Sequence, residues 1–169
     1  ISPLQDSELT PEQAERLSKS APKEGPVLNI FRTLVRSPDA LRAFSWWGGY
    51  VMSRNSLTPR DREIAILRVG WLCKSGYEWT QHHRIGLQSG LDATEIERIK
   101  IGAAAAEWSA QEKALIAAVD DLNRDHFVSN ASWAELLKHY SERQCMDLVF
   151  TVGQYTQVSM ILNSFGVQL

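Results

Sequence analysis

Cysteine is scarce in this chain: two among 169 residues, Cys73 and Cys145. Two thiols so far apart form no CxxC motif and no disulfide scaffold, and they point to a reducing, cytoplasmic setting. Basic excess is missing too. Eighteen Lys and Arg against twenty Asp and Glu leave a net charge of −2. Nucleic-acid and anionic-membrane binders need clustered positive charge, so neither partner is expected. No apolar run approaches the about 18 residues that a membrane span requires, and the opening residues carry no signal-peptide pattern. No segment alternates with period two, so strands are not expected.

What is present suits one globular domain over 1–169, with 1–27 as an N-terminal helix and linker. Hydrophobic residues make up 44% of the chain, and a chain of this length buries roughly 70% of its unfolded surface. Six tryptophans, at 46, 47, 71, 79, 108 and 133, suit a core, a pocket lining or a subunit interface.

Helical signals recur along the whole chain. Thr10, Pro11 and Gln13 open a capped helix over 10–20, and 21–27 read as a Pro/Gly-rich connector. Further helices begin at Asn29 and after Ser37-Pro38. The strongest follows Thr58-Pro59, in TPRDREIAILRVGWLC. It has two apolar faces, one through Ile64, Leu67 and Trp71 and one through Ile66, Val69 and Cys73, so it is buried on more than one side. Lys74-Ser75-Gly76 breaks it, and 77–89 form the next helix. Asp92, Ser109 and Ser141 cap three more, with ASWAELLKHY between the last two. The class is all-α, with seven to nine helices. LTPRDREIAIL at 57–67 also aligns without gaps to WSAQEKALIAA at 108–118, as either a repeat or convergent helix-start chemistry.

The chemistry concentrates in CKSGYEWTQHH, residues 73–83. Residues four apart stack on one helix face, which groups Trp79 with His83, Glu78 with His82, and Tyr77 with Gln81. The histidines point about 100° apart, so one of them faces any given pocket. Histidine titrates near neutrality and suits proton transfer. His83, behind Trp79, is the favoured candidate, while Glu78 can orient or charge His82. Glu63 projects over Gly70, whose position in mid-helix lowers stability by about 1 kcal/mol relative to Ala and so marks a close approach. Without HExxH or CxxC, no metal site is expected.

TPRDREIAILRVGWLCKSGYEWTQHHRIGLQSGLDATEI resembles the conserved core of the carboxymuconolactone decarboxylase family, which includes the alkylhydroperoxidase D-like proteins. The resemblance implies a helical bundle of that type. The redox branch of the family carries Cys-x-x-Cys, then His four residues on, with a Glu one helix upstream. Carried over, the Glu falls on Glu63, the His on His83 and the cysteines on Gly76 and Trp79. Neither of those is a thiol, and Cys73 lies one turn early. Peroxide reduction needs an attacking thiolate and a resolving thiol.

The resemblance therefore points to the decarboxylase side: a cofactor-free lyase acting on a small cyclic or aromatic-derived carboxylic acid. Glu63 and His83 would be catalytic, and Tyr77, Trp79, His82, Arg68 and Tyr155 would line the substrate, with Arg68 or Arg84 holding its carboxylate. Tyr155 enters because it interrupts an apolar helix with a phenol able to donate and to stack. The alternatives are a thiol-dependent peroxidase using Cys73 and a non-catalytic small-molecule binder. The resemblance also implies a trimer or hexamer.

Overall fold

The computed structural model describes residues 1–20 and 25–169; most of the predicted connector at 21–27 lies outside them. The described residues are helical with no strands. After a 3-10 turn at Asp6–Glu8 come α1 (Pro11–Ser20), α2 (Asn29–Leu34), α3 (Pro38–Ser53), α4 (Pro59–Leu72), α5 (Gly76–Gln88), α6 (Ala93–Ile101), α7 (Ala110–Asp125), α8 (Asn130–Leu136) and α9 (Glu142–Phe165). Helix starts fall where the caps predicted them. Thr58, Asp92 and Ser109 each accept a backbone N–H from the first turn. Thr10 with Gln13, and Ser141 with Gln144, exchange the reciprocal bonds of a capping box.

The contacts divide the chain into two compact units, residues 1–54 with 160–169, and residues 55–159. In the first, α1 packs on α2 and α3, around Leu17, Ile30, Leu34, Leu41 and Val51. Its two chain ends meet there, the terminal amine of Ile1 donating to the Phe165 carbonyl.

The second unit is built around α4, which packs on α5, α6 and α7. Every residue from Glu63 to Gly70 is buried, as two apolar faces on one helix require. Trp71 departs from that pattern and is 44% exposed; of the six tryptophans only Trp108 is buried. Gly70 and Gly86 set the close approach of α4 and α5. A Cβ on Gly70 would lie 3.4 Å from the Glu78 side chain, and one on Gly86 would lie 3.3 Å from Leu67 and 3.2 Å from Leu91.

The sequence echo has a geometric counterpart. The alignment of 57–67 with 108–118 equates Arg60 with Gln111 and Asp61 with Glu112. Arg60 bonds Glu112 at 2.7 Å, and Gln111 bonds Asp61 at 3.3 Å. Each contact is the image of the other, as a two-fold relation between the starts of α4 and α7 demands.

Arg68 is a clamp within this unit. Its guanidinium forms a bidentate pair with Asp120, at 2.6 and 3.1 Å, and donates to the carbonyls of Ile99 and Lys100. It lies against Gly102, whose φ of 88° suits glycine. With these four bonds, Arg68 ties α4 to α6 and α7. Arg84 is exposed on α5.

Candidate functional site

The inward face of α5 carries Glu78, His82 and Gly86, the buried residues of that helix, at four-residue spacing. Opposite, α4 presents Glu63, fully buried. Between the two helices lies His82. Its Nδ1 is 2.6 Å from Glu63 Oε2 and its Nε2 is 2.9 Å from Glu78 Oε1. The other Glu63 oxygen accepts from Arg62 Nε at 3.1 Å. From α9, the Tyr155 ring meets the imidazole edge-on, 4.9 Å between centroids. The result is a buried chain, Arg62–Glu63–His82–Glu78, roofed by a phenol.

The expected Glu63–His83 pair is thus a Glu63–His82 pair. His83 is half-buried, one residue round the helix and about 100° away. The legible signal was Gly86: a residue without a side chain, four past His82, marks the face of closest packing. Counted back from His82, the two cysteine positions of the redox branch fall on Glu78 and Ser75 rather than Trp79 and Gly76. A carboxylate therefore stands where one thiol would, directly bonded to the imidazole. Sequence reasoning gave Glu78 only a supporting part and missed Arg62 and Ser75.

The electrostatics follow from this arrangement. Burial disfavours a charged imidazole, but the bonds and charges of Glu63 and Glu78 outweigh it and raise the His82 pKa to about 9. Two carboxylates, one imidazolium and one guanidinium then balance. Burial, reinforced by the charges of Glu78 and Glu63, drives the Tyr155 phenol well above its usual pKa, so it stays protonated. The two ring nitrogens of His82 face different carboxylates, so these three side chains do not converge on one point. No group of three potential metal ligands occurs among the described residues.

The other nominated residues divide. Tyr155 joins the chain. Trp79 lies in a surface cluster, its ring 5.5 Å from Trp71, with the Lys100 ammonium about 5 Å from both. Tyr77 is half-buried on α5. Cys73 ends α4, where burial pushes its thiol pKa up against the opposing effect of Ser159, Asn123 and Thr156. A nucleophilic thiol needs the opposite shift.

No helix among the described residues is long and apolar enough to cross a membrane. No curated protein matches the sequence. Solved structures show the fold. An uncharacterized peroxidase-related protein of Ralstonia eutropha JMP134, described as an alkylhydroperoxidase AhpD core, superposes with a TM-score of 0.84 at 20% identity, over 99% of this chain and 92% of its own. An uncharacterized peroxidase-related protein of Silicibacter sp. TM1040 gives 0.82 at 18% identity, over 95% and 85%. The debrominase Bmp8 gives 0.79 at 15% identity, over 100% and 91%. A family model, that of the carboxymuconolactone decarboxylases, matches residues 38–121, which carry Glu63, Glu78 and His82. This chain belongs to the carboxymuconolactone decarboxylase family.

Proposed function

We propose that this protein is a cofactor-free lyase that decarboxylates a small cyclic or aromatic-derived carboxylic acid, using the Glu63–His82–Glu78 chain to supply the proton. The observation that carries the reading is the imidazole bonded at both nitrogens to buried carboxylates. Such a ring holds a proton at neutral pH and can pass it to either neighbour. In the reaction, the bond between the ring carbon and the carboxylate breaks. The electron pair stays on the carbon, spread into the substrate's conjugated system, and CO₂ leaves. Glu78 hands that carbon a proton drawn from His82 Nε2, and solvent restores the proton afterwards. Glu63, held by Arg62, fixes the ring and balances its charge, as a carboxylate orients a catalytic imidazole elsewhere.

This reading places the catalytic role on Glu78 and His82 rather than His83. The raised thiol pKa of Cys73 and the replacement of both cysteine positions by Ser75 and Glu78 speak against the peroxidase alternative. The test is CO₂ release from a panel of unsaturated cyclic carboxylic acids. Turnover that disappears in Glu78→Gln and survives in His83→Gln and Cys73→Ser supports the proposal. Peroxide reduction lost on Cys73→Ser, with no decarboxylation of any panel member, overturns it.

A further inference from the structure

Among the described residues, five helices open with one sequence pattern, a Ser, Thr or Asp followed three residues later by Glu or Gln: Thr10–Gln13, Ser75–Glu78, Asp92–Glu95, Ser109–Glu112 and Ser141–Gln144. Four of them close the capping box, each side chain accepting the other residue's backbone N–H. In two of these the serine hydroxyl also donates to its partner side chain, Ser109 to Glu112 at 2.8 Å and Ser141 to Gln144 at 3.0 Å. The pair that opens α5 leaves its box open. Ser75 makes no side-chain cap bond, and its N–H goes to the Gly70 carbonyl. Glu78 bonds His82 Nε2 instead. The Ser75 hydroxyl is left 2% exposed and without a hydrogen-bond partner. An unsatisfied buried polar atom is destabilising and calls for an explanation.

His82 supplies one. As an imidazolium, the ring has two N–H groups and satisfies both carboxylates. Once it gives up a proton it keeps a single N–H, and its other nitrogen presents a lone pair. A carboxylate facing that lone pair is repelled. Glu63 is also held by Arg62, so Glu63 keeps the remaining N–H and Glu78 is released. Of the other ionisable groups nearby, burial keeps the Tyr155 phenol protonated and pushes the Cys73 thiol pKa up. Side chains on a helix lean toward its N-terminus, over the residues three and four back. For Glu78 that direction leads to Ser75. Gly70 flanks the path: a Cβ there would lie 3.4 Å from Glu78 Cγ, and glycine puts no side chain against it.

We propose that Glu78 is a proton carrier with two positions, and that Ser75 is the positioning residue that holds its carboxyl group once it has left His82. The inference rests on the decarboxylase reading for the destination of the proton. The N–H bond at His82 Nε2 breaks and an O–H bond forms on Glu78, leaving a neutral ring and a neutral acid. Glu78 then turns to Ser75, whose hydroxyl donates to the carboxyl oxygen that carries no proton. The O–H is left to protonate the substrate carbon. The carboxylate that remains keeps the Ser75 bond until solvent recharges His82 and the imidazolium draws it back.

The experiment is an NMR titration of the His82 imidazole in wild type, Ser75→Ala and Ser75→Thr, without substrate. The Ser75 bond stabilises the state in which His82 is neutral, so its removal favours the charged ring. Ser75→Ala therefore raises the His82 midpoint by about one pH unit, the effect of a hydrogen bond to a charged group. Ser75→Thr, which keeps the hydroxyl, restores it. A hydroxyl with only a packing role leaves the midpoint where it is. An unchanged or lowered midpoint in Ser75→Ala overturns the proposal, as does a rise that Ser75→Thr does not reverse. A crystal structure of the wild type well above the midpoint needs no variant. Glu78 on Ser75 Oγ supports the proposal, and Glu78 still on His82 Nε2 overturns it. Neither reading depends on turnover, so a protein that passes both and releases no CO₂ loses the decarboxylase reading and keeps the carrier.

Discussion

His82 and His83 are adjacent and chemically identical, yet they differ completely in consequence. His82 separates two buried carboxylates, so His82→Ala takes the imidazole from Glu78 and leaves Glu63 with Arg62 alone. Losing one partner of a buried ion pair costs about 3–5 kcal/mol. His83→Ala, at a half-buried position outside the chain, costs well under about 1 kcal/mol. Urea denaturation of both variants checks this, and equal losses would contradict the geometry. The same ring sets a pH dependence. Its folded pKa, about 9, lies above its unfolded value of 6.5. The stability it supplies is therefore complete below pH 6.5 and fades as pH rises through 9. A shift of this size corresponds to roughly 3 kcal/mol at most. The wild-type denaturation midpoint should fall over that range relative to the midpoint at pH 6, and His82→Ala should not show the fall. The sequence offered Glu63 and a histidine of this pair directly, but not which histidine. The choice between 82 and 83 depends on α5 rotating its Glu78–Gly86 face onto α4, a tertiary fact that spacing alone leaves open.

Helix boundaries were the most legible feature, because caps act locally. Thr58-Pro59, Asp92 with Glu95, and Ser109 with Glu112 each begin a helix through bonds within four residues. Long-range partners were not legible. Arg68 looked like a substrate cation from its place on α4, but its partners sit 31 to 52 residues away, on α6 and α7. This tie yields a prediction for the α6 C-terminus. A Cβ on Gly102 would lie 2.5 Å from the Arg68 guanidinium, on a backbone with φ of 88°. Gly102→Ala must both strain that backbone and displace the part-buried Arg68–Asp120 pair. It should destabilise by more than about 2 kcal/mol, while Gly90→Ala, also at positive φ but with open space around its Cβ, should cost about 1 kcal/mol. Thermal or chemical denaturation of the two variants checks the order.

At the scale of the molecule, family and fold were readable because the TPRDREIAIL and YEWTQHH segments carry both a helical pattern and a distinctive charge arrangement. The assembly expected from the resemblance, a trimer or hexamer, is carried forward as part of our proposal. Met146, Phe150, Gly153 and Gln157 are exposed along α9 at spacings of four, three and four, the 3.5-residue period of a seam between helices. Met146 and Phe150 also line a groove of about 340 Å³ with Trp133, Leu137 and Val149. A second copy of this chain, presenting the same seam, fits that pattern. Light scattering should give a multiple of the 19.1 kDa chain, and Phe150→Glu should lower it without unfolding the protomer; a wild-type monomer at micromolar concentration would contradict the proposed assembly. The claim on which the functional account depends, however, concerns one proton. The Glu63–His82–Glu78 chain can protonate a substrate at neutral pH only if His82 holds that proton beforehand. NMR titration of the imidazole nitrogens, with His82 assigned from His82→Gln, measures this without any substrate. The account predicts both nitrogens protonated at pH 7, with a midpoint near 9 that falls in Glu78→Gln. A neutral ring at pH 7, titrating at or below 6.5, would contradict it.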